Sequence, residues 1–107
     1  MKKTAKTLEV KKSVRPYVIV RCRNAGVHAG EYVSHKGTEV VLVNARRIWL
    51  WRGANELNGL AVYGASRPAE CRFGPPVKRN TLLDACEIIV CQPAGEKMIR
   101  ECAEWRS

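Results

Sequence analysis

Apolar and polar positions alternate along residues 17–23, YVIVRCR, so that Tyr17, Ile19, Arg21 and Arg23 share one face and Val18, Val20 and Cys22 the other. A period of two carried by β-branched and aromatic side chains predicts a strand, with arginines leaving the far end of one otherwise apolar face. NAGVHAG predicts a turn-rich connection. Two strand-like runs follow at about 29–35 and 38–44, hinged on His35, Lys36 and Gly37 as a hairpin signal. Val40 to Val43 is apolar on both faces, which predicts a central strand covered on both sides. After Asn44 the alternation resumes through ARRIWLW, with Arg47, Trp49 and Trp51 on one face and Arg46, Ile48 and Leu50 on the other.

Gly53 ends that run and the period changes. Ala54, Leu57, Leu60 and Ala61 recur at helical spacing before Gly64, predicting a short helix. Residues 67–80 hold Pro68, Pro75 and Pro76 and little periodicity beyond a brief strand at 70–73, so they predict a surface loop. The stretch 81–92 is strand-like in its second half, while its first half opens as a turn or a short helix. Pro93 then starts a last helix carrying Met98, Ile99 and Cys102 on one face, shortened or frayed by Gly95. These elements predict an α+β fold, a mainly antiparallel sheet of four to five strands with two short helices. Residues 1–16 show neither period and mix Lys, Thr and Ser, which predicts a flexible basic arm ending at Pro16, ahead of a single domain over residues 17–107.

The formal net charge of +9 points to an anionic partner, and its placement narrows the kind. Residues 1–16 carry six bases against Glu9, a net of +5, which leaves +4 for the rest. Ten of the thirteen bases in that rest are arginine, the side chain suited to bidentate capture of phosphate or carboxylate. A few placed contacts are therefore expected rather than a broad polycationic field. The five cysteines are odd in number and lack C-x-x-C spacing, so reduced, mostly buried thiols are expected, and His28 and His35 read as loop histidines with no cysteine at ligand spacing. No apolar run reaches the roughly 18 residues of a membrane span, and the basic N-terminus lacks an apolar export segment. The expected location is the cytosol.

No catalytic pattern is present in the sequence: no Gly-rich phosphate loop, no G-x-S-x-G, no H-E-x-x-H, and no carboxylates at acid–base spacing. The chain is accordingly expected to be no enzyme and to use no cofactor or metal. Asp84 and Glu87, set in an apolar stretch, are expected to pair with arginines. The informative block is NARRIWLWRGANELNGL, where indoles that stack on purines, arginines that pair with phosphate and carboxamides that read a base edge crowd together. Each tryptophan alone reads equally well as core. As a group they read as a site, because Arg47 shares a face with both indoles and burying it would strand a charge. The expected ligand-binding set is Arg21 and Arg23 for phosphate beside the Ala25–Gly26 turn, Arg47, a stacking face from Trp49 or Trp51, and Asn58 for the base edge. It is expected to meet across a subunit boundary.

The segments VIVRCRNAGVHAG, EVVLVNARRIWLWRGANELNGLAVYGA and EIIVCQPAGEKMIRECAEW resemble a family of small bacteriophage domains of unknown function and, beyond it, the phage Thoeris anti-defence sponges. That resemblance implies a cytosolic homo-oligomer that sequesters a cyclic nucleotide-type immune signal, such as glycocyclic ADP-ribose or cyclic oligonucleotides, without cleaving it. The main alternative is a small basic nucleic-acid-binding phage regulator. A third reading is a protein inhibitor that uses the Pro-rich loop at 67–76.

Overall fold

The alternation at the start of the domain becomes strand β1 (Tyr17–Cys22), and β2 (Val27–Lys36) and β3 (Glu39–Leu50) follow it as an antiparallel meander. The computed structural model describes residues 15–106. The basic arm expected over residues 1–16 thus lies almost wholly outside the described residues. After β3 come α1 (Leu57–Tyr63), a single 3-10 turn (Pro68–Glu70), β4 (Arg72–Phe73), β5 (Val77–Leu82), β6 (Ala85–Val90) and α2 (Pro93–Glu101). The fold is α+β with a six-stranded antiparallel sheet and two helices, one strand more than the upper expectation.

The sheet runs β4-β3-β2-β1-β6, and β5 joins the free edge of the first half of β3. It curls. Ala85 pairs with Cys22 on β1 while its N–H donates to the Thr38 carbonyl at the tip of the β2–β3 hairpin, and Thr38 Oγ1 donates to the Leu83 carbonyl at 3.1 Å. Inside the curl Val18, Val20, Val40, Leu42, Ala45 and Leu82 form one core. On the outer face Tyr17, Ile19, Ala29, Ile48, Phe73, Leu60 and Ile99 form a second, covered by α1 and α2. The alternation of β1 is thus explained on both sides, because its two faces feed two separate cores.

Two corrections concern the middle of the chain. The runs at 38–44 and ARRIWLW are one strand, β3, which passes through Asn44 at φ 50°. There β3 gains one residue on β2, since Ala29 faces Arg46 while Glu31 faces Val43. Residues 67–80 are not a plain loop, for they contain β4 and most of β5. β5 has almost no apolar signal because only Leu82 of its six residues is buried.

The helices are set by close packing and by one buried cation. Gly95, expected to fray α2, is instead buried where α2 crosses α1, and the Gln92 N–H donates to the Ala61 carbonyl at 2.9 Å beside it. The C-terminal end of α2 is held by Arg46, which is 4% exposed. Its Nε donates to the Gly74 carbonyl at 2.7 Å, and its Nη1 to the carbonyls of Ile99 and Cys102 at 2.8 and 2.7 Å. A cation at the negative end of a helix, bonded to carbonyls the helix leaves open, is favourable on both counts. No helix among the described residues is long and apolar enough to cross a membrane.

Candidate ligand-binding site

The extra residue at Asn44 decides which side chains of β3 look into the curl. Leu42 and Ala45 both face inward although they are three apart, so Arg47 and Trp49 follow Ala45 to the inner side while Arg46 and Ile48 face the helices. Arg47 and Trp49 line a cleft of about 270 Å³ with His28, Ala45, Gly74, Pro75, Val77 and Asn80. Trp49 is 46% exposed, and its ring meets Trp105 edge-on at 5.5 Å between centroids. Trp105 in turn lies under the Arg72 guanidinium at 4.8 Å. A C-terminal bridge from Phe73 to Glu104 puts Trp105 there, and the Trp105 N–H donates to the Phe73 carbonyl at 2.9 Å.

The expected site residues divide. Arg47 and Trp49 come together in the cleft. Ala25 and Gly26 form the turn beside it, closed by the Cys22 N–H donating to the Gly26 carbonyl at 2.8 Å, with Gly26 at φ 85°. Arg21 does not join them. It sits in register with Val27 and Ile48 on the helix side of the sheet, and its Nε pairs with Glu87 Oε1 at 2.9 Å. Arg23 is exposed just past the end of β1. Trp51 falls past the end of β3, after a register shift between Ile48 and Leu50, and packs half-buried on the helix-side core rather than beside Trp49. Asn58 is exposed on α1, the helix that packs on the other side of the sheet from the cleft.

His28, expected in a loop, is on β2 and 1% exposed. It pairs with Arg47 across the sheet and lines the cleft. Its Nε2 lies 2.9 Å from the Ala25 carbonyl; a carbonyl only accepts, so Nε2 carries the proton and Nδ1 keeps a bare lone pair. Nδ1 is buried without a partner. Burial, and then Arg47, hold the imidazole below its ordinary value against the pull of the Ala25 carbonyl and Asp84, so His28 is neutral at pH 7. Asp84 is itself held below the usual carboxylate range, chiefly by the Asn24 N–H that donates to it at 2.6 Å. Cys22, on the inner face nearby, is pushed up to about 11 by burial and by Asp84, so it remains a thiol.

A stability prediction follows from His28. The unfolded chain takes up a proton near pH 6.5 that the folded chain refuses, so folded stability should be full above pH 6.5 and fall as pH drops below it. Urea unfolding at pH 7.5, 6.5 and 5.5 checks it. His28→Gln should flatten the decline over that window, and an equal decline in the variant would assign it to other groups.

All five cysteines are free. Cys22, Cys71 and Cys102 are buried as expected, Cys91 is half-buried, and Cys86 is exposed. Glu87 pairs with an arginine as expected, whereas Asp84 is held by a backbone amide. Among the described residues no three His, Cys, Asp or Glu side chains gather as a metal-ligand set. Sequence reasoning missed His28, Asn80, Arg72 and Trp105. The signal for Trp105 was an aromatic just beyond the apolar stripe of the last helix, and for His28 its place in period two with Gly30 and Tyr32.

Fold and cleft together define a curled-sheet α+β domain with an aromatic and basic groove at one end of its inner face. The chain belongs to the family described as a domain of unknown function (DUF6948), whose pattern matches residues 15–99. No curated protein and no solved structure matches the chain.

Proposed function

We propose that the chain binds a small anionic, nucleotide-type ligand in the Arg47–Trp49 cleft and holds it without cleaving it. In keeping with the resemblance to phage immune-signal sponges, the ligand is a cyclic nucleotide signal of the glycocyclic ADP-ribose kind and the role is sequestration by a cytosolic homo-oligomer. The observation that carries the reading is the pairing in one cleft of a half-exposed indole with an exposed arginine and a carboxamide, Asn80. The indole offers a face to a purine, Arg47 a donor fork to phosphate, and Asn80 a carboxamide that both donates and accepts. Binding without cleavage is supported by Cys22, a thiol held protonated, and by His28, whose bare nitrogen is sealed from solvent.

Calorimetric titration with glycocyclic ADP-ribose tests the proposal. Trp49→Ala should weaken binding by about 1 to 3 kcal/mol and Arg47→Ala by about 2 to 4, with Asn58→Ala and Trp51→Phe near wild type. Heating the complex should release the ligand intact. Wild-type affinity in both cleft variants, or a hydrolysed product on mass spectrometry, would overturn it.

The nucleic-acid reading has one observation in its favour. Lys78 and Arg79 are exposed on β5, the strand that supplies Asn80 to the cleft. Binding through many phosphates would lose orders of magnitude in affinity between 50 and 200 mM salt, whereas one enclosed ligand loses far less. A steep salt slope with single-stranded oligonucleotides would favour that reading over sequestration.

A further inference from the structure

The helix side of the sheet holds a second cleft, of about 200 Å³, lined by Tyr17, Asn44, Arg46, Pro76 and Arg100. It is distinct from the first. Consecutive residues of β3 serve the two clefts from opposite faces, Arg46 here and Arg47 there, and Pro76 lines one while Pro75 lines the other.

Its charge is unbalanced in one place. Arg46 is buried, and its Nε and Nη1 are engaged by three carbonyls, yet among the described residues no carboxylate pairs with it. The carbonyls at the end of α2 offset part of the guanidinium's charge but supply no full counter-ion, and a buried cation without one keeps a residual cost. The other charges around the cleft cancel. Arg100 bonds Glu31 at 3.1 Å and Glu96 at 2.8 Å, and Glu31 also pairs with Arg15 and accepts from Asn44 Nδ2 at 3.1 Å. Two carboxylates thus offset Arg15 and Arg100, and the surplus positive charge is that of Arg46.

Donors also line this cleft together. Nη2, the remaining nitrogen of Arg46, makes no hydrogen bond to another described residue, and Arg46 lines the cleft. Arg100 lies over the Tyr17 ring at 4.5 Å, and burial pushes the Tyr17 phenol well above its ordinary value, so its hydroxyl keeps a proton to donate. At about 200 Å³ the cleft is smaller than the first one.

We infer that this cleft binds a small oxyanion, a phosphate or carboxylate group, through Arg46 Nη2, Arg100 and the Tyr17 hydroxyl. The inference does not depend on the function proposed for the first cleft. The oxyanion supplies the counter-charge that the fold withholds from Arg46.

The test uses the whole chain, labelled with ¹⁵N and held at constant ionic strength. Inorganic phosphate is titrated in one arm and acetate in the other, with the Arg46 Nε–H and the Tyr17 and Asn44 amides followed by NMR. Saturable shifts of those signals are expected with half-saturation at or below about 10 mM, and the tighter arm names the class. Arg46 variants are uninformative here because the residue also holds α2. Tyr17→Phe keeps the ring under Arg100 and should weaken binding at least about fivefold, while Trp49→Ala should leave it unchanged. Shifts that rise linearly without saturating, shifts confined to Lys78 and Arg79, or undiminished affinity in Tyr17→Phe would each overturn the inference.

Discussion

Replacing Arg46 by alanine should destabilise the fold by about 3 to 5 kcal/mol, whereas the same change at the neighbouring Arg47 should cost less than about 0.5 kcal/mol. The contrast comes from which face of β3 each occupies. Arg46 supplies hydrogen bonds to Gly74, Ile99 and Cys102, so its loss strands three carbonyls, two of them at the end of α2. Each buried carbonyl left without a donor costs about 1 to 3 kcal/mol, reduced where water enters. The guanidinium also lies 5.6 Å from the centre of the Phe73 ring, so packing in the helix-side core is lost with it. Arg47 is exposed and leaves nothing buried behind. In a domain of this size the Arg46 loss lowers the melting temperature by roughly 10 °C or more. Arg46→Lys should recover little, because one ammonium does not reproduce a planar fork spread over three carbonyls. Urea unfolding at pH 7.5 decides the matter, and a difference of under about 1 kcal/mol between the two alanine variants would refute this account of α2.

The second large effect is expected at Gly95, and there the sign is the test. Glycine to alanine inside a helix ordinarily stabilises by up to about 1 kcal/mol. At Gly95 a Cβ would collide with the carbonyls of Ala61 and Leu60 on α1, which are backbone and cannot swing aside. The Ala61 carbonyl already accepts from Gln92, so moving it breaks a second contact. Gly95→Ala should therefore destabilise by about 2 kcal/mol or more by prying the helices apart. Gly59 on α1 is the control, since a Cβ there meets nothing within 4 Å and Gly59→Ala should be neutral or stabilising. If the two substitutions shift the unfolding midpoint in the same direction, the crossing of α1 and α2 at Gly95 is wrong.

The fold class was legible because its strongest elements carry clean periods. Tyr17 to Cys22 alternates between two cores, and Ile99 on α2 with Cys102 just past its end marks the buried side of the last helix. β5 was illegible for a physical reason: it lies on the outer edge of β3 with five of six residues exposed or half-exposed, so backbone pairing rather than side-chain burial makes it a strand. The candidate site was half legible. Arg47 and Trp49 share a cleft as their spacing implied, but Trp51 was carried away by the end of β3 and the register shift before it. His28 and Trp105 arrive in the same neighbourhood through strand pairing and a C-terminal bridge, which no local pattern encodes.

The single extra residue at Asn44 works as a phase marker for everything downstream in β3. Read with strict alternation from Val40, the inward set would be Arg46, Ile48 and Leu50. The left-handed residue at Asn44 moves the frame by one, so the inward set is Ala45, Arg47 and Trp49. Ironing out the bulge while keeping its residue would not shorten the strand so much as invert it, turning Ile48 toward the groove and Trp49 toward the helices, whereas deleting Asn44 itself would set Ala45 two after Leu42 and leave the frame as it is. Within this family, the residue at Asn44 should therefore come and go only together with its bulge, since either both or neither keeps Arg46 and Arg47 in their separate chambers.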